Sequence, residues 1–128
     1  MKISPKIDLS RSLRHVFGNK ADFNEQILHD SARQSDTASA ILRRFFVAKE
    51  SERRELMILA DEVGLGKTFV ALAVAVSMLD AIRRGESPDG LPANKPVILV
   101  ITPKSDALFN KWLREVETFT RDLSPDRR

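Results

Sequence analysis

The chain has 128 residues and a formal net charge of +3, and its 42% hydrophobic and 30% charged residues are ordinary for one small globular domain. It contains no cysteine, which excludes a disulfide framework and a cysteine-ligated metal site. The first residues lack the apolar region of a secretory signal, and the longest nearly apolar run, 69–79, is too short to span a bilayer. These features predict a cytoplasmic protein with no membrane partner.

The first third of the chain predicts helices. Residues 7–17 place apolar side chains at helical spacing, and a second helical stretch is predicted from near Asp22. Asp36 or Thr37 could cap a third helix. The apolar face of this third helix would consist of Ala38, Ile41, Leu42 and Phe45.

Two short apolar runs, at about 55–60 and 97–102, predict strands. Each run is continuous and bounded by polar residues, which is typical of parallel strands covered on both faces. A long helix is predicted between them, from Thr68 to about Arg84, followed by a loop over 85–96 that is rich in proline and glycine.

A last helix is predicted after the second run, with Ser105 or Asp106 as its cap. Its apolar face would consist of Leu108, Trp112, Val116 and Phe119. The order strand, helix, strand, helix predicts an α/β fold with a parallel sheet.

The segment between the first run and the long helix predicts a phosphate-binding loop. Gly64 and Gly66 allow a tight turn that directs backbone N–H groups towards an anion, and the following helix N-terminus favours the same anion. Lys67 is placed to contact the β- and γ-phosphates, and the Thr68 hydroxyl can bind Mg²⁺. We therefore expect ATP and Mg²⁺ as cofactors, with Lys67 as the catalytic residue. The expected nucleotide ligands in this loop are Gly64, Leu65, Gly66, Lys67 and Thr68.

The same segment departs from the common pattern G-x-x-x-x-G-K-[ST], because Asp61 stands where the first glycine is expected. The run from Leu59 to Thr68, LADEVGLGKT, resembles motif I of superfamily 2 helicases, and more narrowly that of the Swi/Snf-type translocases. Residues 97–119 resemble the segment around motif Ia in the same group, with Pro103 after the apolar run and K-W-x-x-E at 111–115. The two segments cover roughly half of the chain.

The resemblance implies a fold and a domain organisation. The expected fold is a partial RecA-like P-loop NTPase domain over 36–121. A helical N-terminal segment at 1–35 would precede this domain, and a tail at 122–128 would follow it.

The resemblance also implies contacts outside the loop. Lys104 and Ser105 would contact a nucleic-acid backbone, with DNA favoured over RNA, and an ordinary capped turn is the alternative. Gln34 resembles the glutamine that reads the adenine edge in superfamily 2 proteins, because an amide can both donate and accept a hydrogen bond. An exposed glutamine at a helix entrance is the alternative. Trp112 is expected in the core rather than as a base-stacking platform.

The sequence lacks other parts of the family's ATP site. No apolar strand ending in an acidic motif follows residue 119, and no second lobe supplies arginines. We therefore expect the ATP-binding segment of an ATP-dependent nucleic-acid helicase or translocase, truncated and catalytically incomplete without the remainder of the helicase core. Nucleotide binding would be weak or absent, and turnover undetectable. A non-enzymatic module that binds nucleic acid or a partner, and a small P-loop kinase, are the alternatives.

Overall fold

The computed structural model describes residues 24–52, 54, 56–60, 66–85 and 97–122, which form three helices and two shorter turns. The helices are α1 (Asn24–Leu42), α2 (Lys67–Arg83) and α3 (Asp106–Asp122), and the turns are a π-helical turn at Arg43–Val47 and a 3-10 turn at Glu50–Glu52. The helix predicted at 7–17, most of the loop predicted at 85–96 and most of the predicted tail lie outside the described residues.

Helix α1 is continuous where the sequence predicted a new helix start. Thr37 lies inside it, and its Oγ1 donates a hydrogen bond to the carbonyl oxygen of Arg33 at 2.8 Å. A threonine hydroxyl can bond to the preceding turn in this way without interrupting the backbone hydrogen bonds. The prediction that Asp36 or Thr37 caps a helix is therefore wrong, and α1 crosses the boundary predicted between residues 35 and 36.

Helix α2 is the central helix, because it contacts both α1 and α3. Apolar side chains on more than one of its faces allow it to pack on two sides. Its buried residues are Phe69, Val70, Leu72, Ala73, Val74, Ser77 and Ala81. The predicted helix from Thr68 to about Arg84 is confirmed to within one residue at each end. None of the described helices is both long and apolar enough to cross a membrane.

Helix α3 packs against α2 through the predicted apolar stripe. Phe119 is fully buried, and its ring stacks on Phe69 with centroids 6.3 Å apart and planes inclined by 26°. Trp112 and Val116 are partly buried against the same core, so the predicted core position of Trp112 is confirmed. Phe109, on another side of α3, is 60% exposed.

The α/β fold predicted from the two apolar runs is wrong for the described residues, which contain helices and no strand. Residues 56–60 and 97–102 are neither helical nor paired, and Ile58 and Val97 are 80% and 86% exposed. An apolar run indicates a tendency to be buried, but a strand also requires backbone partners from elsewhere in the chain. In the described part of the chain no backbone hydrogen bond joins the two runs.

Candidate functional site

The turn that begins α2 contains Gly66, Lys67 and Thr68. Gly66 is the N-cap residue, and its φ of 78° and ψ of 29° are the left-handed conformation. Its carbonyl oxygen accepts a hydrogen bond from the N–H of Val70 at 3.1 Å, which is the first of the helix. This conformation costs residues that carry a Cβ about 1–2 kcal/mol. Glycine therefore allows the chain to enter α2 without that strain.

The first turn of α2 is suited to an anion. Lys67 and Thr68 are both half-buried, and the turn contains no acidic residue. The first N–H groups of a helix have no acceptor within the helix, and the helix dipole adds partial positive charge there. The turn therefore contains an ammonium group, a hydroxyl and backbone donors, which are groups that can bind a phosphate and, through the hydroxyl oxygen, Mg²⁺.

Gln34 lies on α1 directly against this turn. Its side chain is 2% exposed. A Cβ placed on Gly66 would lie 2.9 Å from Gln34 Cδ and 3.4 Å from Oε1, and closer still to Nε2. The structure therefore brings together two of the predicted nucleotide-binding residues from separate helices.

Gln34 is buried, whereas the alternative interpretation placed it as an exposed glutamine at a helix entrance. Gln34 lies inside α1, on the buried face formed by Ile27, Ala38 and Leu42. The signal was present in the sequence, because these residues recur at intervals of seven and four. The contact with Gly66 was not foreseen, since it joins parts of the chain that are distant in sequence.

Two of the predicted nucleotide ligands, Gly64 and Leu65, lie outside the described residues, and so do Asp61 and Glu62. Of the predicted loop, the structure therefore describes the last part, from Gly66 to Thr68.

Lys104 and Ser105 immediately precede α3. Ser105 Oγ accepts a hydrogen bond from the N–H of Leu108 at 3.3 Å, and the Ser105 carbonyl accepts one from the N–H of Phe109 at 3.0 Å. Ser105 therefore caps α3, as the sequence predicted. Lys104 is exposed, and Asp106 places a carboxylate in the first turn of the helix. This negative charge offsets part of the attraction that the helix N-terminus would exert on a phosphate.

The structure does not bring Lys104 and Ser105 to the start of α2. Phe119, which stacks on Phe69, lies fourteen residues after Ser105. That interval corresponds to roughly 20 Å along a helix axis. The two predicted contact regions thus lie near opposite ends of α3.

The K-W-x-x-E segment lies on α3. Lys111 Nζ is 3.7 Å from Glu115 Oε1, an ion pair between successive turns. Trp112 points from the same turn into the core. The segment therefore contributes to the packing and charge pairing of α3.

Comparison with known proteins identifies the family. The SNF2-related domain family matches residues 40–126, which is more than half of the 128 residues. The match includes the whole of α2 and α3. No curated protein and no solved structure gives a match. The resemblance to Swi/Snf-type proteins is confirmed, and the chain belongs to the SNF2-related domain family of ATP-dependent helicases and translocases that act on nucleic acids.

Proposed function

We propose that the start of α2 binds the phosphate chain of ATP together with Mg²⁺. The observation that carries this proposal is the left-handed Gly66 directly before Lys67 and Thr68, at the N-terminus of a helix with no acidic residue in its first turn. The family match adds support, because SNF2-related proteins depend on ATP and generally use Mg²⁺.

Each residue of the turn has a separate role in this proposal. Lys67 contributes a mobile positive charge to the β- and γ-phosphates, and its removal would lower both binding and the stabilisation of developing charge. Thr68 offers its hydroxyl oxygen to the metal. Bound Mg²⁺ would neutralise part of the charge on the phosphates. Gly64 and Leu65 are proposed to extend the set of backbone donors.

These residues are proposed to bind the nucleotide without hydrolysing it by themselves. Hydrolysis requires an acidic group that holds the metal and orients water, and a group that stabilises the transition state. None of the proposed ligands in this loop is acidic. We propose that the remainder of a helicase core supplies these groups. The family match favours this assignment over a small kinase.

The dependence of affinity on the number of phosphates tests the proposed site. Calorimetric titration of the 128-residue chain with the Mg²⁺ complexes of ATP and ADP, and with AMP, should give weak binding that decreases in that order. We expect at least about a tenfold difference between ATP and AMP, since charged hydrogen bonds contribute about 1.5–3 kcal/mol each. Equal affinities for all three nucleotides would place the contacts on the base or sugar and would contradict the proposal.

We propose that Lys104 and Ser105 contact the sugar–phosphate backbone of a nucleic acid, with DNA favoured over RNA. Lys104 is exposed before α3, and the Ser105 hydroxyl can still donate its proton while its oxygen accepts from Leu108. Phosphate contacts of this kind orient a protein on nucleic acid without reading the sequence.

Lys104→Ala is expected to weaken DNA binding for all sequences alike and to reduce the salt dependence of the binding constant by about one counterion. The measurement is fluorescence anisotropy with labelled DNA at several salt concentrations, repeated with RNA of the same sequence. Lys111→Ala is the matched control, because Lys111 is already paired with Glu115. Equal effects of the two substitutions would indicate diffuse charge attraction rather than a contact at Lys104.

A further inference from the structure

Gln34 is an unusual side chain for the interior of this core. The described residues include two buried polar side chains, Gln34 and Ser77. The Ser77 hydroxyl donates to the carbonyl oxygen of Ala73 at 2.6 Å, so a bond within its own helix accounts for its burial. Gln34 instead extends from α1 to the start of another helix, where it lies against Gly66.

A residue with a Cβ at position 66 would displace the end of the Gln34 side chain. A Cβ there would lie 2.9 Å from Gln34 Cδ, which is closer than real Cβ atoms come to other atoms. The positive φ of Gly66 is a second and independent reason for glycine. Gly85, at the other end of α2, also has a positive φ but has nothing within 4 Å of a Cβ. Only the first of these two glycines is therefore constrained from outside its own turn.

We propose that Gln34 is a positioning residue for the phosphate-binding turn. Its carboxamide packs against the backbone of Gly66 and thereby holds the residue that orients Lys67 and Thr68. Gln34 then acts on affinity for the phosphate chain through Gly66, whichever base is attached. This inference rests on the proposed function only for its effect on nucleotide binding, because the contact itself is a property of the protein without ligand.

Base recognition by Gln34 would have a different consequence. An amide that reads the adenine edge must present both its N–H and its carbonyl to the base. In this structure the side chain is 2% exposed and lies against the backbone of the turn. The two roles are distinguished by a ligand that has phosphates but no base.

The first experiment compares Gln34→Ala with the unmodified chain in titrations with the Mg²⁺ complexes of ATP, GTP and inorganic tripolyphosphate. A positioning role predicts that affinity for all three ligands falls by the same factor, about tenfold for residues in direct contact. Loss of ATP affinity with unchanged tripolyphosphate affinity would overturn the proposal in favour of base recognition. Unchanged affinity for all three would overturn it as well.

Two control variants separate positioning from general loss of stability. Leu42→Ala removes a buried side chain from the same face of α1, two helical turns beyond Gln34. It should lower the melting temperature and leave the three affinities unchanged while the protein is folded. Gln26→Ala removes an exposed glutamine, whose Nε2 donates to Asp30 Oδ1 at 3.0 Å, and should change neither property. Loss of tripolyphosphate affinity in Leu42→Ala would contradict a specific role for Gln34.

A second experiment needs no ligand and is a double-mutant cycle in melting temperature. Gly66→Ala should lower the melting temperature of the unmodified chain through both the added Cβ and the positive φ. In the Gln34→Ala background the Cβ has room, so the same change should lower the melting temperature by less. Gln34→Ser replaces Gln34→Ala in the cycle if the latter does not fold. If Gly66→Ala lowered the melting temperature equally in both backgrounds, Gln34 and Gly66 would be independent and the proposal would be overturned. If the cycle shows that Gln34 and Gly66 are coupled but none of the ligands binds, the contact between the two residues is supported and the proposed function is contradicted.

Discussion

Phe119→Ala is expected to destabilise the protein by about 3–5 kcal/mol, as truncations of fully buried aromatic residues commonly do. Phe119 has no exposed surface, and its ring stacks on Phe69 at the start of α2. Its removal leaves a cavity between α2 and α3. Small domains have a total stability of about 5–15 kcal/mol, so this loss is a large fraction of the whole.

Urea and thermal unfolding measure this effect. Trp112 is the single tryptophan of the chain and packs against the core, so its fluorescence reports on the contact between α3 and the rest of the core. We expect a decrease in melting temperature of about 12 °C or more. Phe109→Ala is the matched control, because Phe109 is on the same helix and 60% exposed, and its effect should be within about 1 kcal/mol. Similar losses of stability for both substitutions would show that α3 does not pack against α2 through Phe119.

Lys67→Ala is expected to weaken binding of the Mg²⁺–ATP complex by about 10- to 100-fold. A hydrogen bond to a charged group contributes about 1.5–3 kcal/mol, and each 1.4 kcal/mol corresponds to about a tenfold change in affinity. Alanine has a higher helix propensity than lysine, so the substitution should not weaken α2 itself. The effect on affinity is then separate from any effect on folding.

The measurement is calorimetric titration of the variant beside Lys67→Arg and Lys49→Ala, with helix content checked by circular dichroism. Lys67→Arg keeps the charge but replaces a compact ammonium with a planar group. Its affinity for Mg²⁺–ATP should therefore lie between that of Lys67→Ala and that of the unmodified chain. Lys49 is exposed and outside the turn, and its substitution should have little effect. An affinity of Lys67→Ala equal to that of the unmodified chain would exclude Lys67 from the phosphate site.

The helices were the most predictable part of the fold. The bounds of α2 and the start of α3 followed from apolar spacing and from Ser105 as a cap, which are local properties of the sequence. The same local properties also predict a helix start at Asp36 or Thr37, where α1 is continuous. A residue that can cap a helix can also lie within one, and packing of the buried face of α1 against α2 decides between the two.

The predicted sheet shows the limit of local patterns. Residues 56–60 and 97–101 were correctly identified as apolar, but apolar character does not specify a partner strand. Pairing in a sheet depends on segments that are distant in the chain or on another chain. Leu59 packs partly against the core, whereas Ile58 is 80% exposed.

The candidate site also has a part that follows from local sequence and a part that depends on packing. The turn predicted at Gly66–Thr68 follows from residue types and an order that have a direct physical meaning, and the left-handed conformation of Gly66 is compatible with that tight turn. The position of Gln34 against that turn depends on how α1 packs on α2 and could not be read from spacing alone. The spacing does indicate that Gln34 lies on the buried face of α1.

Binding of phosphates at the start of α2 can be tested by a nuclear magnetic resonance titration of the chain labelled with ¹⁵N-glycine. The chain has five glycines, so few signals need to be assigned. Gly66 and Gly85 both have a positive φ and lie at opposite ends of α2, which makes Gly85 an internal control. We expect Mg²⁺–ATP and Mg²⁺–tripolyphosphate to shift the Gly66 signal in a saturable way and to leave the Gly85 signal in place. A Gly66 signal that does not move, or that moves no more than the Gly85 signal, would show that the phosphates do not bind at the start of α2.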